Sequence, residues 1–510
     1  MKPKFIFVAI AVLVINASCK KSFLEQDPPN SVLIDKNFQN ENDVTIAVNG
    51  VYQGLRSGNA VGEGAGTWTD DRSDDVNTTD NQSNNGEPFQ FTAFALAPSN
   101  TYLYNHWIAL YSPISRANLV LSQIDTIAFA NETTKNQYVA EMKFVRAFMY
   151  FNLVREFGDV PIVTGRVSKP EEVDPLTQRE PREIVYAQII ADLKDVVASK
   201  LPVVQPATGK GRASLQAANG LLGKVYLTMA ASGVDATNMN ANLNNAKTYL
   251  LACYNQRTFT NLANIPFADV FDVSKKSTNA EIIWQISYKQ GDPTYSSSIA
   301  RTSQARGETI NSQFASTGVG GTLSPDLRKE FEGGDKRTAF SIKYAAHASV
   351  QDYFVTKFRD TSTAAGKPGY GGNDWILMRY ADIILCLAEA HMLLNETAAA
   401  ISYLDMVRAR AGMPEYNAMM AIPAYASKYP TLKLAILHER RVELAFEHHR
   451  WHDLVRFFNP SQLVAFFKQK SQADYNNSPL SNISEKDYYF PIPLNETRLD
   501  PERMYQNPGY

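Results

Sequence analysis

The chain has 510 residues, 44% of them hydrophobic and 20% charged, and a formal net charge of -2 at pH 7. This composition is typical of a globular protein with a large core and excludes a disordered or fibrous chain. A slightly acidic chain lacks the basic surface that nucleic acids require, so we predict no nucleic-acid partner. The three cysteines, at positions 19, 253 and 386, have the spacing of neither a disulfide framework nor a metal site.

The first residues have the pattern of a secretory signal. Lys2 and Lys4 precede an apolar run over residues 5–15, which is too short to span a bilayer as a stable helix. Small and polar residues then lead into Cys19, an arrangement that resembles a bacterial lipobox, in which the thiol is acylated. We expect residues 1–18 to be a lipoprotein signal peptide and Cys19 to carry the lipid anchor. The alternative is an ordinary signal peptide followed by a chance cysteine.

Helical patterns follow a polar tether over residues 19–40. Apolar residues recur at spacings of three and four, which is typical of amphipathic helices. Small residues such as Gly220 and Gly223 allow helix axes to approach closely, as in a stacked helical hairpin. Residues 379–414 have nearly the length of a tetratricopeptide unit, so we predict degenerate helical repeats. The predicted repeat scaffold covers residues 41–58, 101–257 and 376–460.

Two long segments, residues 59–100 and 258–375, interrupt the helical pattern. The first is rich in Gly, Asp, Asn, Ser and Thr, yet it also contains Trp68 and several phenylalanines. A loop of this length inside a compact domain is usually functional or disordered, and the aromatic residues argue against disorder. The second segment contains short strand patterns, for example over residues 281–288. We predict one domain over residues 41–510, which ends in a C-terminal segment over residues 461–510.

A predicted helix over residues 437–454 holds the densest set of ionisable side chains. His448 and His452 are one helical turn apart there, a spacing that can bind a metal ion. The opposing interpretation is an apolar stripe flanked by structural ion pairs. The oppositely charged residues three positions apart are Arg440 with Glu443 and Glu447 with Arg450. Because no third metal ligand lies nearby, we favour ion pairs and predict neither a metal site nor a cofactor.

Catalytic motifs are absent from the sequence. A glycoside hydrolase needs two carboxylates on either side of the scissile bond. Asp70, Asp71, Asp74 and Asp75 offer carboxylates, but adjacent acids in a polar loop more often are solvated or form turns. The chain has no nucleophile elbow, phosphate-binding loop or dinucleotide fingerprint. We therefore predict that the protein is not an enzyme.

Several separated blocks, in the expected order, resemble the SusD/RagB family of surface nutrient-binding lipoproteins. They are residues 23–25, 144–161, 334–337, 379–390, 407–412 and 506–510. One departure is His448, where the family commonly has glycine. The resemblance implies a mainly α fold, in which tetratricopeptide-like hairpins form a SusD-like α/α superhelix with a few short strands. It also implies that the loop-rich portions, residues 59–100 and 258–375, bind the ligand.

The resemblance further implies a glycan ligand and a SusC-like TonB-dependent transporter as the partner. The protein would then be anchored by lipid in the outer membrane and face the exterior. A sugar ring offers an apolar face and a rim of hydroxyls, so its site should combine an aromatic platform with Asp, Asn or Arg. The candidates are Trp68, Asp71, Arg72, Tyr295 and Arg301. The opposing interpretation is that Trp68 and Tyr295 only cover the core. The alternative functions are a peptide-binding lipoprotein of the same architecture and a lipid-anchored glycoside hydrolase.

Overall fold

The computed structural model describes most of the chain beyond residue 37. The described residues are 38–76, 81–167, 172–173, 176, 178–303, 323–347, 350–365, 370–475 and 480–510. The predicted signal peptide, Cys19 and most of the predicted tether lie outside these ranges. Within them, no helix is both long enough and apolar enough to cross a lipid bilayer.

Helices make up most of the described structure, which confirms the predicted mainly α fold. In chain order the helices and strands are α1 (Glu41–Gly54), α2 (Phe89–Thr92), α3 (Thr101–Gln123), α4 (Glu132–Phe157), α5 (Arg182–Val197), α6 (Leu215–Ala231), α7 (Met239–Asn255), α8 (Phe267–Val270), β1 (Ile282–Ile286), α9 (Ile299–Thr302), α10 (Pro325–Glu330), α11 (Thr338–Ser341), β2 (Ile342–His347), β3 (Val350–Val355), β4 (Trp375–Arg379), α12 (Tyr380–Leu393), α13 (Thr397–Ala411), α14 (Tyr416–Met420), α15 (Pro423–Lys428), α16 (Leu432–Glu443), α17 (Arg450–Phe457), α18 (Pro460–Lys468) and α19 (Leu494–Thr497).

The long helices pack as neighbouring pairs. Helix α3 packs on α4, α6 on α7, and α12 on α13, while contacts of α4 with α5 and of α7 with α12 join the pairs. Each helix buries an apolar stripe against the next, because a single amphipathic helix cannot cover that stripe alone. This arrangement is consistent with the predicted superhelix of tetratricopeptide-like hairpins.

Local signals set several helix boundaries. The Asn40 side chain accepts hydrogen bonds from the backbone amides of Asn42 and Asp43, and this cap starts α1. Helix α4 is buried on all sides through its C-terminal half and stops at Gly158. The φ angle of Gly158 is +75°, a left-handed conformation that glycine adopts without steric cost.

Small residues in α6 allow the close helix packing that the sequence predicts. A Cβ atom added at Gly223 would lie 2.6 Å from Leu250 Cγ in α7. At Gly220 it would lie 2.6 Å from Met378 Sδ in β4. Both positions therefore bring neighbouring elements closer than any other residue type would allow.

The few strands form two small antiparallel sheets. Strand β1 pairs with β4, and β2 pairs with β3 as a hairpin. All residues of β1 are buried, and β1 leads directly into the turn that carries Tyr295. The strand pattern predicted over residues 281–288 is confirmed by β1.

The prediction of one continuous helix over residues 437–454 is wrong. Helix α16 ends at Glu443 and α17 begins at Arg450. Between them the φ angles of Phe446 and His448 are +64° and +62°, and these left-handed conformations interrupt the helix. A glycine, which the resemblance leads us to expect at position 448, would adopt this conformation without strain.

The helix break also changes the partners of the charged residues. Glu443 accepts hydrogen bonds from Arg379, Arg337 and Arg410, and all four side chains are buried. Glu447 binds Arg379 and Lys357. Structural ion pairs are thus present as predicted, but the expected pairing at three residues' separation is wrong. The side chains face segments distant in sequence instead of one another.

Candidate ligand-binding site

The two loop-rich segments meet at Glu63. Its carboxylate accepts hydrogen bonds from the Ser298 amide at 2.9 Å and from the Ser298 hydroxyl at 2.7 Å. It also accepts one from the Ser297 hydroxyl. Arg56 donates to the carbonyl oxygen of Thr294. The first loop and the turn that carries Tyr295 therefore form one continuous surface.

Arg56 lies between two tyrosine rings at this surface. Its guanidinium carbon is 4.7 Å from the ring centre of Tyr295 and 5.3 Å from that of Tyr288. Tyr288 is buried, whereas 42% of Tyr295 is exposed. Asp292 accepts hydrogen bonds from the amides of Thr294 and Tyr295 and so fixes the turn. The exposed ring is therefore held in a defined position before any ligand binds.

A polar cleft of about 290 Å³ adjoins this aromatic platform. Arg56 lines this cleft and also contacts the Tyr295 ring of the platform. The other polar side chains of the cleft carry amide, hydroxyl or guanidinium groups. They include Asn49, Gln53, Thr208, Arg212 and Ser287. Such groups supply the hydrogen-bond donors and acceptors that match the hydroxyl rim of a sugar. Beside Tyr295 the structure therefore combines an apolar ring with a polar cleft.

The structure places Trp68 and Arg72 in the interior. Trp68 is 2% exposed, and its ring stacks on His106 with 4.1 Å between the ring centres. Arg72 is fully buried and donates a 2.7 Å hydrogen bond to the carbonyl oxygen of Asp487. Neither side chain presents a surface to a ligand in this conformation. A contact of Trp68 or Arg72 with the ligand stays a prediction.

Asp71 and Arg301 are more accessible than Trp68 and Arg72. Asp71 is half-buried, and this burial raises the pKa of its carboxyl to about 7. Arg301 is exposed, and its amide binds the carbonyl oxygen of Ser298 beside the Glu63 contact. The backbone of Arg301 thus belongs to the same segment as Tyr295, as the sequence analysis assumed.

Sequence reasoning missed two residues of this surface, Arg56 and Glu63. Arg56 follows the end of α1, and Glu63 lies in the first loop. Their contacts with Tyr295 and Ser298 join segments more than 230 positions apart. No local pattern marks such a contact, because neither residue belongs to a motif. The only available signal is their position within or next to a polar loop that also contains aromatic residues.

Three of the four acidic residues considered for catalysis, Asp70, Asp74 and Asp75, are buried. Asp74 binds Arg450 through both carboxylate oxygens, and Asp75 binds Arg441. Both acids are buried in the turn region that follows Trp68. The predicted turn is confirmed, whereas the prediction of solvated acids is wrong for Asp74 and Asp75. These carboxylates neutralise buried guanidinium groups instead.

His448 and His452 line a small, partly open pocket of about 60 Å³. His448 Nε2 is 3.6 Å from Asp70 Oδ2, and His452 Nε2 is 3.6 Å from Glu156 Oε1. Burial lowers the pKa of His448 to about 3, so its imidazole is neutral at pH 7. Each histidine therefore lies beside a carboxylate, and His452 is buried whereas His448 is half-buried.

Among the residues that the structure describes, one group of His and Glu side chains is compact enough to hold a metal ion. It consists of Glu332, His438 and Glu439. Its carboxylates already accept hydrogen bonds from Arg337 and Arg408. These guanidinium groups supply the positive charge that a metal ion would otherwise provide.

Comparisons with known proteins agree with this architecture. The family model described as "SusD family" matches residues 342–510, and "Starch-binding associating with outer membrane" matches residues 22–227. A SusD-like protein of Formosa agariphila is 26% identical over the full length of both chains. A SusD-like protein of Bacteroides ovatus is 24% identical, with 92% of this chain and 85% of that protein aligned.

Solved structures share the fold. A laminarin-binding SusD-like protein is 26% identical to this chain and gives a TM-score of 0.73. The match covers 93% of this chain and 100% of that chain. The surface glycan-binding protein A from Bacteroides thetaiotaomicron is 19% identical and gives a TM-score of 0.74, with 93% of this chain and 100% of that chain covered.

Proposed function

Because the chain belongs to the SusD family, we propose that it binds a glycan and passes it, without catalysis, to a SusC-like outer-membrane transporter. The observation that carries this proposal is the exposed Tyr295 ring over Arg56, beside a polar cleft. An aromatic face next to amide and guanidinium groups matches the two chemically different surfaces of a sugar.

The proposed location is the cell surface, with the protein held in the outer membrane by lipid on Cys19. The family description refers to association with the outer membrane, and the signal pattern before Cys19 supports export. Two or three acyl chains would give nearly permanent attachment, at about 0.8 kcal/mol per buried methylene. Labelled palmitate should mark the wild-type protein in its native cell and should not mark Cys19→Ser.

The first ligand to test is laminarin, because one similar structure is described as laminarin-binding. Isothermal titration of the soluble protein, without residues 1–19, should detect binding. We expect Tyr295→Ala to weaken it about tenfold, equivalent to about 1.4 kcal/mol. The matched control is Tyr505→Ala, since Tyr505 is also 42% exposed and also lies under an arginine, with Arg179 at 4.3 Å.

Other results would contradict parts of the proposal. Equal affinities of the Tyr295→Ala and Tyr505→Ala variants would exclude Tyr295 as the platform. Release of reducing ends from the polysaccharide would contradict a non-catalytic role and favour a glycoside hydrolase. Binding of peptides but of no glycan would favour the peptide-binding alternative. Absence of the transporter after affinity purification from detergent-solubilised membranes would argue against that partner.

A further inference from the structure

A second and larger cleft lies elsewhere in the loop-rich half. Its volume is about 560 Å³, and it lies between residues 268–274, the start of β2 and residues 356–362. Small-molecule sites typically have volumes of about 300–1,000 Å³. Neither Arg56 nor Tyr295 lines this cleft, so it is distinct from the platform described above.

One wall of the second cleft is aromatic. Phe340 is half-buried, and its ring centre lies 5.7 Å from that of Phe267 and 5.9 Å from that of Phe271. Phe267 and Phe271 are buried, and both pack against the Phe340 ring. The ring therefore offers the cleft an apolar surface that is fixed by packing.

Gln290 supplies a polar amide group to the second cleft. Its amide nitrogen donates to Asp360 Oδ2 at 2.6 Å and to the Ser362 hydroxyl at 2.5 Å. Asp360 also accepts hydrogen bonds from the Gly372 and Ser362 amides. With its nitrogen held in this way, the carbonyl oxygen of Gln290 is oriented by the protein and remains an acceptor for a ligand hydroxyl.

The charges around the second cleft are balanced. Three acidic and three basic side chains line it: Asp269, Asp272, Asp360, Lys343, Lys357 and Arg359. Lys357 is bound to Glu447, and Arg359 donates to the Ser303 carbonyl oxygen. An equal number of opposite charges gives no net attraction for an anion or a cation. The cleft therefore suits an uncharged ligand that is rich in hydroxyl groups.

We propose that this cleft is a second carbohydrate subsite, which binds a neutral sugar between the Phe340 ring and the Gln290 amide. The inference rests on the proposed function, since it assumes that the ligand is a glycan. Gln290 and Tyr295 belong to the same irregular segment after β1, so this segment contributes to both subsites. A polysaccharide that occupies both subsites gains affinity through effective concentration, whereas a short oligosaccharide occupies each one separately.

The test is the stoichiometry of laminaritriose, measured by isothermal titration at saturating concentration. We expect two bound molecules per wild-type chain and one per chain for Tyr295→Ala. We also expect one for Phe340→Leu, which keeps an apolar side chain against Phe267 and Phe271. For the full polysaccharide, each substitution should weaken binding at least tenfold, because the effective-concentration gain is lost.

Two further variants guard against a folding artefact. Gln290→Leu preserves the approximate side-chain size and should remove the same subsite as Phe340→Leu. Phe466→Leu, which changes another half-buried phenylalanine stacked on Phe458, should still bind two molecules. Thermal unfolding of every variant verifies that it is folded.

The outcomes separate the two proposals. One molecule per wild-type chain, unchanged in Phe340→Leu and Gln290→Leu, would overturn the second subsite and leave the proposed function intact. A wild-type protein that binds neither laminarin nor any polysaccharide in a panel of neutral glycans would overturn both. Loss of all binding in Tyr295→Ala would also overturn an independent second subsite.

Discussion

Arg379 and Glu447 are joined by two parallel hydrogen bonds of 2.7 Å, from Nε to Oε2 and from Nη2 to Oε1. Arg379 also binds Glu281, which directly precedes β1, and Glu443 at the end of α16. All these side chains are buried. The network ties the helical scaffold to β1, and β1 leads into the turn that carries Tyr295. The position of the proposed platform therefore depends on ion pairs far from its surface.

Arg379→Met should destabilise the protein by about 3–5 kcal/mol, because it leaves buried carboxylates without their cation. Burial alone would raise the pKa of Glu447, but Arg379 and Lys357 hold it at about 2. Urea unfolding measures the change. Arg503→Met is the control, because Arg503 is exposed and its ion pair with Asp500, at 3.6 Å, lies at the surface. A loss below about 1 kcal/mol for Arg379→Met would contradict the role of the network.

Stability should fall as the pH rises above 6.5 because of His438. Burial of the His438 imidazole disfavours its protonated form and lowers its pKa. Glu330 and Glu332 bind its two ring nitrogens at 2.7 and 3.0 Å, and their stronger effect raises the pKa above the usual 6.5. The raised pKa contributes stability that is fully present below pH 6.5 and is lost as the pH passes the folded-state pKa. Urea midpoints from pH 6 to 9 should show this slope in the wild type and a shallower one in His438→Gln, where the raised pKa of Asp71, about 7, still contributes.

The control for the pH experiment is His449→Gln. Burial lowers the pKa of His449 to about 4, so above about pH 7.5 its imidazole is neutral in both the folded and the unfolded state. His449→Gln should therefore keep the wild-type slope above about pH 7.5. A slope that His438→Gln leaves unchanged there would contradict the assignment.

Gly223→Ala should destabilise the fold by about 1–3 kcal/mol, because the new methyl group would overpack the α6–α7 contact. It would lie 2.6 Å from Leu250 Cγ and 2.9 Å from the Leu250 backbone nitrogen. The matched control is Gly50→Ala in α1, where no atom lies within 4 Å of the new carbon. That change should stabilise by about 0.5–1 kcal/mol through helix propensity. Denaturant unfolding of both variants tests the opposite signs.

Glycan affinity should fall as the pH drops through about 7 if Asp71 contacts the ligand as the sequence analysis predicts. Burial raises the pKa of Asp71 to about 7, and protonation removes the charged acceptor that binds sugar hydroxyls most strongly. Titrations at pH 5.5, 7 and 8.5 should show this dependence in the wild type only. If Asp71→Asn retains the full pH dependence, Asp71 is not a ligand contact.

Much of the scaffold was predictable from the sequence. The run over residues 144–151 is apolar on nearly all sides and predicts a helix buried among others, and Gly158 with Pro161 predicts its end. Small residues at Gly220 and Gly223 indicate the close helix contact that the structure contains. These features are local, because helix periodicity and glycine conformation depend on neighbouring residues.

The surface of the candidate site was harder to predict. Trp68 and Tyr295 both occur in irregular segments rich in small and polar residues, so their sequence contexts are alike. In the structure Trp68 stacks on His106 in the core, whereas Tyr295 lies over Arg56 and remains exposed. The difference arises from partners on other segments, which composition and periodicity do not reveal.

The sequence by itself determined the helical class, the interruption by two loop-rich segments and the resemblance to the SusD/RagB family, since these depend on residues close together in the chain. Only the tertiary structure decided which aromatic ring is exposed, where α16 breaks, and that Glu443 binds Arg379 instead of Arg440. Burial and ion pairing depend on which distant segments meet, and the packing of the whole chain sets those meetings.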